Sequence, residues 1–209
     1  MKNLIGKTAV VTGASRGIGV YIVDKLTKKG VNVIGIARTE EGLKKAAEKV
    51  KQNQGLFEYY KFDLSVTDNL VEGFNKLKNH SIDFLINNAG IEIYKEYEKF
   101  NFSEIEKIVK VNLLSPMELT RLLLPQIKEN KGNIINIASL AGKKGVIYNG
   151  IYSATKAGMI LWSDALSQEL MPQGVGVTAI CPGYISETGM FNDGGYPPPK
   201  LLGESSPNE

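Results

Sequence analysis

One cysteine and one histidine occur in 209 residues. Cys181 alone cannot form an intrachain disulfide, so packing must hold the fold, and a reducing, cytoplasmic compartment is expected. It closes the apolar run Val177-Thr-Ala-Ile-Cys181 and reads as a buried thiol. His80 lies in the polar stretch Lys78-Asn-His-Ser81 and reads as a solvated loop residue, so no metal site is expected. No apolar run approaches the roughly 20 residues that cross a bilayer, and the N-terminus lacks the apolar region of a secretory signal, so no membrane role is expected. Arginine is scarce: of 25 basic residues, three are Arg, at 16, 38 and 121. The net charge of +3 is spread as mixed Lys and Glu, which argues against a nucleic-acid surface.

What is present suits a single domain over residues 1–209. Hydrophobic residues make up 43% of the chain, enough for a substantial core. Short runs rich in Val and Ile alternate with longer segments of helical period. Strands are expected at 8–12, 32–37, 57–62, 83–87, 133–138 and 175–181. Helices are expected at 17–29, 40–52, 67–78, 103–128 and 151–170. Near-continuous apolar strands alternating with helices indicate an α/β fold, a doubly wound parallel sheet of Rossmann-like, three-layer α/β/α type. The stretch from Asn192 to Glu209 is rich in Gly and Pro and reads as a loop.

Two motifs carry chemistry. Thr12-Gly-Ala-Ser-Arg-Gly-Ile-Gly19 joins the first strand to the first helix. Its glycines let the backbone turn sharply and approach a pyrophosphate, which the helix N-terminus beyond them would attract. Tyr152 and Lys156 stand four residues apart, so a helix puts phenol and ammonium on one face, where the ammonium would lower the tyrosine pKa toward the working range of a general acid. Ser139, thirteen residues upstream, could hold a carbonyl oxygen.

The spacing Gly-x-x-x-Gly-x-Gly, Asn87-Asn-Ala-Gly90 after the fourth strand, Asn112 in Val111-Asn-Leu-Leu, Ser139, Tyr152 with Lys156, and Pro182-Gly183 occur in an order that resembles the short-chain dehydrogenases/reductases. The resemblance implies an oxidoreductase that moves a hydride between a nicotinamide cofactor and a small-molecule carbonyl or secondary alcohol. Tyr152 would be the general acid/base. Lys156 would lower its pKa and hold the nicotinamide ribose. Ser139 would bind the substrate oxygen, and Asn112 would position a water. Gly13, Ser15, Arg16, Gly17, Ile18 and Gly19 would cradle the phosphates. Asp63 and Leu64 would meet the adenine, Asn88, Ala89 and Gly90 the ribose, and Pro182, Gly183 and Ile185 the nicotinamide end. NAD-preferring members tend to carry an acidic residue at the end of the second strand. Here Gly35-Ile-Ala-Arg-Thr39 has none before Glu40, and Arg38 with Arg16 suits a 2′-phosphate, so NADP(H) is preferred over NAD(H).

The resemblance also sets four further expectations. The threonine that the family places five residues beyond the proline falls on Glu187, with Thr188 next. The usual C-terminal strand is missing, and Ser206-Pro207-Asn208 reads as the start of the helix before it, as if the chain were truncated. A homodimer is expected through the helices at 103–128 and 151–170, with Leu114, Met117, Leu122, Leu161 and Leu166 as apolar surface. The substrate pocket is expected to be apolar and partly aromatic, lined by residues near 91–97, 140–149 and 184–200, including Ile91, Tyr94, Leu140, Ile147, Tyr148 and Met190, with no obvious fixed charge. Two other classes stay open: an epimerase or dehydratase on the same scaffold, and a catalytically impaired nucleotide-binding relative.

Overall fold

Strand β1 (Thr8–Thr12) is buried over four of its five residues and is flanked by β2 (Asn32–Ala37) and β4 (Phe84–Asn87). The computed structural model describes residues 4–66, 70–185 and 206, apart from the side chain of Glu72. With β3 (Phe57–Lys61), β5 (Asn133–Ile137) and β6 (Gly176–Ile180), these strands form one sheet of order β3-β2-β1-β4-β5-β6, parallel throughout. The order reverses between β1 and β4, which opens a crevice at the carboxyl ends of both strands, where doubly wound sheets bind ligands.

Alternation along the strands divides the core into two. Val10, Ile34, Leu85 and Ile134 face one way and pack with Leu119, Leu123 and Ile127 of α5 (Ser115–Glu129) and Leu170 of α6 (Gly150–Leu170). Ala9, Val11 and Val33 face the other way, against Val23 of α1 (Gly17–Lys28) and Leu43 and Val50 of α2 (Glu40–Val50). The start of β1 is tied to β4 through Asp83, which accepts from Lys7 Nζ at 2.7 Å and from the Thr8 backbone N–H at 2.9 Å.

Two helices depart from the sequence expectation. The third helix ends early: α3, described over Leu70–Phe74, gives way to a 3-10 turn at Asn75–Leu77, while 67–69 lie outside the described residues. The expected helix at 103–128 is divided into α4 (Phe102–Val109), a π-helical turn at Lys110–Leu114, and α5. Its first end was legible, since Asn101 and Glu104 form a reciprocal capping box. The π turn has a local cause. Pro116 has no N–H to give the Asn112 carbonyl, and its ring crowds that carbonyl, which favours a wider turn at this point. The Ser115 N–H reaches back five residues to the Lys110 carbonyl instead.

Two smaller expectations are corrected. Cys181 is half-buried rather than buried, because it follows β6, the edge of the described sheet. On the proposed pairing helices, Leu114 and Leu161 are exposed, but Leu122 and Leu166 pack against the core instead. Glu187, Thr188, Met190 and the expected helix start at 207–208 lie outside the described residues.

Candidate active site

The glycine loop leaves β1 with Gly13 at φ +70° and Gly17 at φ +55°, left-handed conformations that side chains rarely adopt. Space is as restrictive as conformation. A Cβ on Gly13 would stand 2.8 Å from Asn88 Nδ2 and 3.0 Å from Ala89 Cα, and one on Gly19 would stand 2.0 Å from the Gly13 carbonyl oxygen. Thr12 binds this loop to the one after β4: its hydroxyl oxygen accepts from the backbone N–H groups of Asn88 and Ala89, both at 3.0 Å. Asn88 Nδ2 returns a bond to the Thr12 carbonyl at 2.9 Å. Helix α1 starts without a side-chain cap and without an acidic residue in its first turn, so its N-terminal N–H groups and dipole suit an anion.

A cleft of about 800 Å³ runs from this loop to the Tyr152–Lys156 face of α6. Apart from Gly19 and Asn112, every residue assigned from the sequence to the cofactor or to catalysis lines it. Gly19 instead lets α1 approach the loop. Arg16 and Arg38, both exposed, share the rim at the ends of the glycine loop and β2. The nearby Glu40 pairs with Lys44 at 2.9 Å along α2 and does not line the cleft. Asp63 Oδ1 accepts from the backbone N–H and hydroxyl of Ser65, both at 2.9 Å, which holds the carboxylate at the edge of the cleft.

At the other end, Tyr152 and Lys156 are buried on one face of α6, as their spacing predicts. Ser139 does two jobs. Its hydroxyl caps the turn at Leu140–Gly142 by accepting from the Ala141 N–H at 3.1 Å, and it stands close enough to Tyr152 to favour the phenolate. Lys156 Nζ donates to the Ile137 carbonyl at 2.7 Å and lies 5.6 Å from the centroid of the Tyr152 ring. Asn112 is fully buried and makes a reciprocal pair with the Ile91 backbone, its Nδ2 donating to the carbonyl and its Oδ1 accepting from the N–H, both at 2.8 Å. Its second donor bond goes to Thr155 Oγ1 at 3.2 Å. The π turn therefore delivers Asn112 as a clamp on the loop after β4.

The electrostatics differ from the expectation that Lys156 draws the tyrosine pKa down. Burial pushes Tyr152 well above the ordinary phenol value, the negative charge of Glu92 adds to this, and the nearby Ser139 hydroxyl opposes it. Burial also pushes Lys156 down to about 8, against the opposing pull of Glu92. In this environment desolvation outweighs the neighbouring ammonium.

Glu92 falls in the stretch near 91–97 expected to line the pocket, but its carboxylate was missed, and it overturns the expectation of a pocket without fixed charge. Its carboxyl is pushed up by burial, with a hydrogen bond from Asn149 and the Lys156 charge working against the rise. The available signal was its position: it follows Ile91, already assigned to the pocket, on the loop that Asn112 clamps. Ile91, Tyr94 and Leu140 line the cleft as expected, but Ile147 and Tyr148 do not; Val146 and Asn149 stand there instead. Tyr148 takes a left-handed φ of +60°, and its carbonyl accepts from the Lys95 N–H at 2.9 Å.

Comparison with known proteins bears on this arrangement. A family model described as short chain dehydrogenase matches residues 7–195. The ketoacyl reductase HetN of Nostoc sp. is 47% identical over 210 residues, covering 99% of this chain and 73% of its own. The 3-oxoacyl-acyl-carrier-protein reductase FabG of Aquifex aeolicus is 36% identical over 191 residues, covering 90% and 77%. A solved short-chain dehydrogenase from Sphingobium yanoikuyae in complex with NADPH matches with a TM-score of 0.89 at 26% identity, over 97% of this chain and 80% of that one.

Proposed function

Because the chain belongs to the short-chain dehydrogenase/reductase family, we propose that it transfers a hydride between NADP(H) and a carbonyl or secondary alcohol, with Tyr152 as general acid/base. The observation that carries this is the shared cleft: a glycine loop suited to an anion with two arginines at one end, and a half-buried serine with a buried tyrosine–lysine pair at the other. The residues fit the cofactor. The uncapped α1 N-terminus and bare glycine backbone suit the pyrophosphate, and Arg16 with Arg38 suits a 2′-phosphate. Asp63, Leu64 and Ala89 flank the adenosine half, and Pro182, Gly183 and Ile185 the nicotinamide half. NADP(H) supplies or accepts the hydride when bound.

The chain's own residues handle position and proton. Ser139 and Tyr152 hydrogen-bond the substrate oxygen. Hydride arrival turns that oxygen into an alkoxide, a stronger base than phenolate, so Tyr152 gives up its proton even with a raised pKa. The carbonyl becomes an alcohol, and Lys156 holds the cofactor ribose beside the tyrosine. Asn112 fixes the Gly90–Glu92 loop against both through its side chain, beside the water-positioning role that the resemblance implies. Burial of the neutral phenol favours reduction over oxidation near neutral pH.

The protein acts as a homodimer through α4, α5 and α6, where Phe102, Leu114 and Leu161 leave apolar side chains exposed. Its setting is the cytoplasm, a reading supported by its single half-buried thiol. No described helix is long and apolar enough to cross a membrane. Oxidation of NADPH against a panel of ketones, aldehydes and 3-oxoacyl thioesters tests the function. Turnover that depends on Tyr152 supports it, and tighter binding of NADH than NADPH would contradict the cofactor assignment.

A further inference from the structure

Two acceptor atoms in the cleft are buried without a partner among the described residues: Glu92 Oε1 and Asn149 Oδ1. Both residues line the cleft beside Tyr152. They are joined, since Asn149 Nδ2 donates to Glu92 Oε2 at 3.0 Å, and the same amide meets Tyr94. This leaves one lone-pair face on each. Neither residue is on a loose element. Glu92 follows Ile91, which Asn112 clamps, and Asn149 is the residue before α6. A buried acceptor left without a donor is costly, and a carboxylate oxygen more so than a neutral one.

Resting on the reading of Tyr152 and Ser139 as the carbonyl site, we infer that Glu92 and Asn149 form a specificity subsite for a hydroxyl group carried next to the reacting carbonyl, so that hydroxyketones and the corresponding diols are the preferred substrates. The charges around the subsite select among donors. Lys156 already acts on Glu92 from the α6 side, and Tyr94, Tyr152 and Tyr184 all sense its charge. A substrate ammonium would be repelled by Lys156 and would lose its hydration on entry. A substrate carboxylate would be repelled by Glu92. A hydroxyl meets neither penalty. It can donate to the Glu92 carboxylate or to the Asn149 amide oxygen. Glu92 is thus a specificity-determining residue, while the hydride and proton steps remain those of the Tyr152 site.

Hydroxyacetone and butanone differ by hydroxyl for methyl at nearly constant size, so the change in their ratio of kcat/KM between wild type and a Glu92 variant isolates the subsite from the hydroxyl's own activation of the carbonyl. Measured with NADPH, the wild-type protein should favour hydroxyacetone by roughly a hundredfold or more, the discrimination typical of a site whose polar groups go unpaired with the wrong ligand. Aminoacetone and pyruvate should both fall below hydroxyacetone. Glu92→Leu should lower the hydroxyacetone-to-butanone ratio at least tenfold, to what the hydroxyl's own activation of the carbonyl leaves, and Glu92→Gln should lower it by a smaller factor. Circular dichroism and Tm report the fold of each variant, and the isosteric Glu92→Gln keeps the test open if Glu92→Leu does not fold. A wild-type ratio near one, or one unchanged in a folded Glu92 variant, overturns the inference while Tyr152-dependent turnover leaves the function standing. Preference for aminoacetone overturns the choice of hydroxyl. Failure to reduce either ketone, with no dependence on Tyr152 for any carbonyl, overturns the subsite and the function together.

Discussion

Tyr152 must be buried to exclude water from its proton, and burial makes that proton harder to lose. A neutral phenol is the right form for reduction but the wrong form for oxidation. The two directions should therefore respond differently to pH. Ketone reduction should be nearly flat across neutral pH, whereas alcohol oxidation should climb steadily above pH 8, because the raised pKa leaves little phenolate below it. Stopped-flow rates in both directions check this, and a plateau in oxidation near pH 7 would contradict it. Lys156 gives a second test through stability. Below about pH 8 it is protonated in the folded and unfolded chain alike, so the fold carries the full cost of the buried charge. Between about 8 and the ordinary lysine value, the unfolded chain binds a proton that the folded chain has released, so stability rises with pH. The Tm of the wild type relative to Lys156→Met should accordingly increase from pH 8 to 10. Tyr152 acts in the opposite sense only above the ordinary phenol value of 10, where the unfolded chain loses a proton that the fold retains.

At the scale of elements, the site depends on close approaches between a turn and its neighbours. Gly19→Ala would drive a Cβ to 2.0 Å from the Gly13 carbonyl, so it should lower Tm by several degrees and weaken NADPH binding at least tenfold. Gly145→Ala is the control, since a Cβ there meets nothing within 4 Å. Asn112→Ala should cost about 2–3 kcal/mol through the lost pair with Ile91, and should speed hydrogen exchange at the Ile91 amide, which a change elsewhere in the helix would leave slow. The π turn shows where the sequence stops being legible. Periodicity located all six strands to within a residue or two, and the motifs placed the cofactor loop and the Tyr152–Lys156 face. Helical period alone does not register one extra residue in a turn, although Pro116 was a local sign. Glu92 and Asn149 were harder to find. Neither belongs to a motif, and their meeting depends on two loops 57 residues apart.

At the scale of the whole molecule, the two-sided core and the parallel sheet hold the β1 and β4 ends rigidly enough to define one cleft. The exposed Phe102, Leu114 and Leu161 are the surface that the proposed homodimer would bury. Sedimentation should give a dimer that Leu161→Glu converts to monomer; a wild-type monomer would reject that interface. The central claim is that one cleft holds NADPH at the glycine loop and a proton donor at Tyr152. Its most direct test is single-turnover oxidation of NADPH with a reducible ketone, comparing wild type with Tyr152→Phe while nucleotide binding is followed by fluorescence. The account predicts unimpaired NADPH binding in the variant and a rate lower by about 10²–10⁴-fold, the range for removing a general acid. A variant that binds NADPH and turns over at the wild-type rate would contradict it.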